Sequence, residues 1–230
     1  MDHWNNDKEL FAIARRELSA ALLGDVLDQM GYRRQFLSPG LKPLDPGMVL
    51  VGRAMPVLET DIDPDCSELG TGKGSEEPFG LMFEALDDLK EDEVYICSGS
   101  LSDYALWGEL MSTRAQMLSA AGAVVNGYSR DTPGILKLNF PTFSLGTYAK
   151  DQRPRGRVIG YRKPITWDGI AIEPGAIIFG DRDGVVVIPR EIEEAVFSGA
   201  IEKARAEKLV AKALLQGMSS VEAFGKYGVM

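Results

Sequence analysis

Histidine is almost missing from this chain. The single copy, His3, lies at the very start, where chains are usually poorly tied down. Ser-His-Asp and Cys-His catalysis are therefore disfavoured, as are zinc and iron sites built from imidazole. Cysteine is nearly as scarce. Cys66 and Cys97 are too few for a disulfide framework and lack the spacing of a thiolate metal site, so a reduced intracellular protein with incidental thiols is expected. No apolar run approaches the roughly 20 residues of a membrane span. Residues 1–6 do not form the basic and then apolar stretch of a signal peptide. Basic charge is in deficit too: 25 Lys and Arg face 34 Asp and Glu, a formal net charge of −9. That argues against a nucleic-acid partner, and its spread along the chain suits solubility. A cytoplasmic protein with neither membrane nor nucleic-acid partner is expected, whose acid–base or metal chemistry rests on carboxylates, Arg, Lys, Tyr or water.

With 230 residues, 45 % of them hydrophobic, the chain can bury one substantial core. It shows no linker and no internal repeat, so residues 1–230 are expected to form a single α/β domain with a mixed sheet flanked by helices. N-terminal helices are expected over 7–31, the first capped by Asp7 and running to Leu18, the second capped by Ser19 and stopped by Gly31. Met48–Leu58 and Val94–Cys97 read as strands and Phe79–Leu89 as a helix. The acidic, Gly- and Pro-containing stretch 61–79 reads as a surface excursion. A helix opening near Gly108 and closing at Gly122 precedes a strand over Ala123–Val125, which makes parallel pairing with the preceding strand plausible. From Thr142 to Pro189, turn signals at Asp168-Gly169, Glu173-Pro174-Gly175 and Arg182-Asp183-Gly184 suggest an antiparallel meander. A C-terminal helix over about 190–216 follows, and Ser219 or Ser220 can cap a last short one.

The segment Gly108–Asp131 carries the chemistry. Glu109 is followed by twenty residues and then by Arg130-Asp131. If the intervening helix and strand double the chain back, a helix N-terminus, two carboxylates and a guanidinium share one small volume. A helix start offers unpaired amides and a partial positive charge, here at Leu110 and Met111 after Gly108, which permits close approach. Arg130 supplies a planar fork matched to carboxylates and developing oxyanions. Asp131 is a hard oxygen ligand suited to Mg²⁺, which often takes only one or two protein carboxylates and keeps several waters. Glu109 could reach the same cation through water. Plain structural readings stay open for each: a glycine relieving crowding, a helix-start acid, an ion pair at a strand end. Gly180–Pro189 lacks the spacing of a calcium loop and reads as a tight turn between strands. Glu202 and Glu207 read as solvated-face charges, and Tyr104 and Trp107 as either pocket wall or core.

Taken together, these segments resemble the RraA-like proteins, which include class II 4-hydroxy-4-methyl-2-oxoglutarate/4-carboxy-4-hydroxy-2-oxoadipate aldolases and the regulator of ribonuclease activity A. Glu109, twenty residues, then Arg130-Asp131 is similar to the family's Asp-x20-Arg-Asp signature. Asp25-Val-Leu-Asp28 with Gly31, Leu50-Val-Gly-Arg-Ala54, Gly122–Asp131 and Gly180–Pro189 are similar to its other segments. The resemblance implies a swivelling β/β/α-type fold in a homotrimer or a dimer of trimers (a homohexamer). It implies a divalent-metal-dependent lyase that cleaves 4-hydroxy-2-oxo acids to pyruvate and a second oxo-acid, with oxaloacetate decarboxylase side activity. Pyruvate's carboxylate would rest on the Leu110 and Met111 amides, Arg130 would contact the oxo group, and Asp131 would ligate Mg²⁺ or Mn²⁺. Glu207, from a neighbouring subunit's C-terminal helix, would complete the site. Glu109 departs from the signature's Asp by one methylene, which shifts its carboxylate by about an ångström and alters the cation's outer shell. The 61–79 excursion has no counterpart in the family pattern. Other outcomes are a non-catalytic regulator binding a ribonuclease-like partner, or another sugar-acid or oxo-acid enzyme on the same scaffold.

Overall fold

The computed structural model describes residues 4–62, 79–153 and 155–229. Its two N-terminal helices follow from local capping. The Asn6 side chain accepts a hydrogen bond from the Glu9 amide at 3.0 Å and caps α1 (Asp7–Glu17). The cap is thus Asn6 and not Asp7: Asn6 holds the extended backbone a cap requires. Asp7 sits inside the first turn, where its carboxylate pairs with Arg53 at 2.6 Å. Ser19 caps α2 (Ala20–Gln29), and Gly31 at φ +90° follows its end. Leu10, Phe11, Ala14, Leu23 and Leu27 are buried from these helices in one cluster with Phe179, Ile188 and Phe197.

The sheet grows around the long strand β2 (Leu50–Asp61), with β1 (Lys42–Pro43) at one edge. Apolar residues on both faces of β2 are buried, as a strand covered on both sides requires. It pairs in parallel with β3 (Glu93–Ser98), which pairs in parallel with β5 (Gly122–Val125). The expected strand–helix–strand unit is therefore present. Before β3 stands α3 (Met82–Asp87), shorter than its sequence pattern because Gly80 is drawn into a bridge with Val158. Between β3 and β5 lie β4 (Ala105–Trp107) and α4 (Glu109–Met117). That helix stops before Gly122, because Ser119 turns left-handed and the Ala120 amide closes onto the Ala115 carbonyl. Then come β6 (Tyr128–Ser129), α5 (Thr132–Leu138) and β7 (Thr142–Ser144).

Residues 142–189 do not form one meander. β7 joins β5 in parallel, β8 (Gly156–Tyr161) joins β2 across a bulge at Leu58/Glu59, and among the described residues only two neighbouring pairs are hairpins. These are β9 (Ile165–Trp167) with β10 (Ile170–Ile172), and β11 (Ile177–Gly180) with β12 (Val185–Ile188). The Asp168-Gly169 and Asp183-Gly184 signals act locally, whereas β8 is claimed by the apolar surface of β2, which it also lengthens beyond Leu58. The chain closes with a 3₁₀ turn at Arg190–Ile192, α6 (Glu193–Leu215) and α7 (Ser220–Tyr227), the last held by a Ser219–Glu222 capping box. The result is the expected α/β domain, a curled mixed sheet flanked by helices. Among the described residues no helix is long and apolar enough to cross a membrane. Cys97 is buried, which pushes its thiol well up; Cys66 and most of the 61–79 excursion lie outside the described residues.

Candidate active site

Two parallel strands bring the separated pieces together. β4 and β6 pair with Ala105 opposite Tyr128 and Trp107 opposite Ser129. Each is followed by a helix, α4 after Gly108 and α5 after Asp131. Parallel strands end on the same side, so both helix starts open side by side with Arg130-Asp131 between them. The expectation that the chain doubles back is met, although the strand beside Arg130-Asp131 is the short β6 and not β5.

Gly108 is needed here for space. Its backbone is extended, which any residue adopts, but a Cβ at this position would stand 3.0 Å from Asp131 Oδ2. The first turn of α4 is locked from below: Trp107 Nε1 donates to Ser112 Oγ at 2.7 Å, and that hydroxyl donates to the Gly108 carbonyl at 3.0 Å. Trp107 and Tyr104 are fully buried and belong to the core. The amides of Leu110 and Met111 lie in this turn, and the Leu110 side chain points into solvent.

Asp131 stands at φ 54°, ψ 32°, in the left-handed region, a conformation costing a non-glycine residue about 1 kcal/mol that persists where surrounding structure imposes it. It occupies the N-cap of α5, yet its side chain makes no capping hydrogen bond. Its nearest cationic neighbour is Arg130 Nε at 3.8 Å. The carboxylate is half-exposed and caps no amide, its long ion pair with Arg130 leaving it accessible to a hard cation. Glu109 lays its side chain directly over Gly134 in the first turn of α5, where a Cβ would collide with it. Both carboxylates therefore border the same helix mouth. Among the described residues there is no group of three or more His, Cys, Asp or Glu that could hold a metal, and those at this helix mouth offer two carboxylates. That donor set fits Mg²⁺ or Mn²⁺ keeping several waters.

Arg130 is fixed at its backbone by a 2.9 Å hydrogen bond to the Trp107 carbonyl. Its guanidinium reaches Asp151 at 3.2 Å, a partner that sequence reading missed. Beside it opens a cleft of about 330 Å³ lined by Ser129, Arg130, Asp131, Thr132, Thr147 and Tyr148, with Pro133 and Ala149. Ser129 Oγ is buried and has no hydrogen-bond partner among the described residues, an orphan that a ligand oxygen would satisfy. Gly108, Leu110 and Met111 are not cleft walls; the α4 start reaches the group past Asp131. Glu207 is not brought here. It lies on α6 with Lys203 at 3.8 Å, and α6 packs on α1, α2 and α7 while α4 packs on α3 and α5.

Comparison with known proteins gives the family. The sequence profile described as "RraA-like: Aldolase/RraA" matches residues 20–187. A Halalkalibacterium halodurans protein named "Putative 4-hydroxy-4-methyl-2-oxoglutarate aldolase" is 34 % identical over 209 residues, 91 % of this chain and 90 % of that one. Protein DlpA of Legionella pneumophila is 28 % identical over 91 % of this chain, which spans only 32 % of DlpA's length. The crystal structure of Streptomyces coelicolor RraAS2, "an unusual member of the RNase ES inhibitor RraA protein family", superposes with a TM-score of 0.73 at 24 % identity, covering 90 % of this chain and 98 % of that one. The chain belongs to the RraA-like family.

Proposed function

We propose that this chain is a class II, divalent-metal-dependent pyruvate aldolase that cleaves 4-hydroxy-2-oxo acids to pyruvate and a second oxo-acid. The observation that carries the reading is the meeting of a helix start, the Arg130 guanidinium and the half-exposed Asp131 carboxylate at the ends of two parallel strands. The α4 amides of Leu110 and Met111 hold the substrate carboxylate by hydrogen bonding and helix charge. Arg130 faces the oxo group and stabilises the enolate oxygen as charge develops there. Asp131, with Glu109 through water, would hold Mg²⁺ or Mn²⁺, which supplies Lewis-acid stabilisation of that charge. A water ordered by Glu109 and Asp131 takes the 4-hydroxyl proton as the C3–C4 bond breaks. The electron pair passes into the pyruvate enolate, and a proton returns to C3. Oxaloacetate decarboxylation yields the same enolate and follows as a side activity. The orphan Ser129 hydroxyl suits an oxygen of the substrate's far end. We further propose a cytoplasmic homotrimer or dimer of trimers, in which Glu207 reaches the site of the adjacent copy.

The test is a panel of 4-hydroxy-2-oxo acids assayed for pyruvate release with and without Mg²⁺. Metal-dependent release that is lost in Arg130→Ala and Asp131→Ala is expected; undiminished turnover in excess EDTA would refute the reading. The acidic net charge of −9 favours a second reading, a non-catalytic regulator that binds a basic ribonuclease-like protein. Stoichiometric capture of such a partner, without lyase activity, would establish it. Turnover of a sugar-acid without pyruvate release would point instead to another reaction on the scaffold.

A further inference from the structure

Asp151, the partner of Arg130, belongs to a segment anchored in the interior. Residue 151 bridges Ala105, and the Ala105 amide donates to the Lys150 carbonyl at 2.8 Å, so this segment runs along β4. Successive side chains of extended backbone point to opposite sides. Asp151 accordingly turns to Arg130 in the cleft, while Gln152 turns inward and is buried. There Gln152 Nε2 donates to Glu59 Oε1 at 2.6 Å, and the Gln152 carbonyl accepts from the Gly156 amide at 2.9 Å. Glu59, on β2, is only 1 % exposed. Its Oε2 has no hydrogen-bond partner among the described residues.

We propose that Glu59 and Gln152 are positioning residues: their buried hydrogen bond fixes the segment carrying Asp151, and so holds the Arg130 guanidinium over the cleft. Neither touches the cleft itself. Their role is to set the direction of the one group that must meet a developing oxyanion, where small displacements cost much of the rate.

The surroundings of Glu59 make this anchor sensitive to protonation. Asp61 lies on its own strand, Tyr95 and Cys97 on β3, Tyr104 before β4, and Gly156 at the start of β8 stands against both Glu59 and Tyr104. None of these is a cation. Burial, with Asp61 adding to it and the Gln152 hydrogen bond opposing, pushes the Glu59 carboxyl up to about 8. At neutral pH the anchor is a neutral acid–amide pair. Above pH 8 a buried carboxylate forms beside Asp61 with no counter-charge among the described residues, and release of the Gln152 segment is the local relief.

The experiment uses the full chain, Glu59→Gln and Gln152→Ala. Its reporter is the Arg130 ¹³Cζ NMR resonance, assigned by its loss in Arg130→Lys. In the wild type this resonance should move with a midpoint near pH 8, together with loss of the infrared band of a protonated carboxyl. In Glu59→Gln, which keeps the neutral shape, the resonance should stay still and the band should be absent. Pyruvate release, the arm that rests on the lyase reading, should show an alkaline fall at the same pH that vanishes in Glu59→Gln. Gln152→Ala should lower kcat at least tenfold at pH 7 with a smaller change in KM. An Arg130 resonance that titrates identically in the wild type and Glu59→Gln would overturn the proposal, as would Gln152→Ala matching the wild type. A wild type that releases no pyruvate would defeat the lyase reading, while the resonance would still decide the coupling.

Discussion

The backbone amide of Arg130 donates to the carbonyl of Trp107 at 2.9 Å. That bond aligns the ends of two parallel strands that are far apart in sequence. It makes the turn into α4 and the turn into α5 neighbours, and places the guanidinium at their junction.

Gly108→Ala tests how tightly these parts fit. The extended backbone accepts alanine, and losing a glycine N-cap for alanine costs at most about 1 kcal/mol. The new Cβ would stand 3.0 Å from Asp131 Oδ2, so the carboxylate has to shift. Pyruvate release should fall at least tenfold with the melting temperature lowered by only a few degrees. Unchanged activity would remove Asp131 from the chemistry.

Asp131→Gly should separate stability from function. Glycine relieves the left-handed strain at φ 54°, stabilising the fold by about 0.5–1 kcal/mol. Activity should drop at least a hundredfold, and so should Mg²⁺ affinity read by calorimetry. A variant both less stable and fully active would contradict the assignment.

Glu109 can be moved without being replaced. In Gly134→Ala the new methyl occupies the space now filled by the Glu109 side chain, whose exposed end can swing away. The helix should keep or gain about 0.5 kcal/mol from the better helix former, while the apparent Mg²⁺ constant for turnover rises several-fold. Glu109→Asp, which shortens the acid by one methylene, should retain metal-dependent turnover and change the preference among oxo-acids.

Glu59 sets a pH dependence of stability whose sign is fixed. Its carboxyl ionises at its ordinary value of 4.5 in the unfolded chain and at about 8 in the fold. Between those values the folded state holds a proton that the unfolded state has released, so the contribution of Glu59 to stability is greatest below pH 4.5, declines as pH rises and levels above 8. Glu59→Gln removes this slope. Its melting temperature relative to the wild type should climb between pH 5 and 8, and the gain is bounded by about 5 kcal/mol at roughly 1.4 kcal/mol per pKa unit. A difference that stays flat with pH would show that Glu59 is charged throughout.

The sequence by itself determined the parts that depend on neighbours a few residues away. Ser19 and Gly31 bound α2, the apolar run at Val94–Cys97 is β3, and the turn residues of Gly180–Pro189 join β11 to β12. Hydrogen bonds between near neighbours and the alternation of burial encode these directly. The pieces of the candidate site were visible too, as Glu109 and Arg130-Asp131 twenty residues apart. Their meeting followed from the expected return of the chain, but the strands that make it did not, because β4 and β6 are too short to carry a periodic signal and pair only when the larger sheet is buried. Asp151 gave no sign of itself: an acid in a loop looks the same whether it faces solvent or a guanidinium 21 residues earlier. Nothing in the sequence marks Glu59: the bulge in β2 and the approach of Gln152 enclose it. Pairing partners and buried charges are chosen by long-range packing, which only the assembled core supplies.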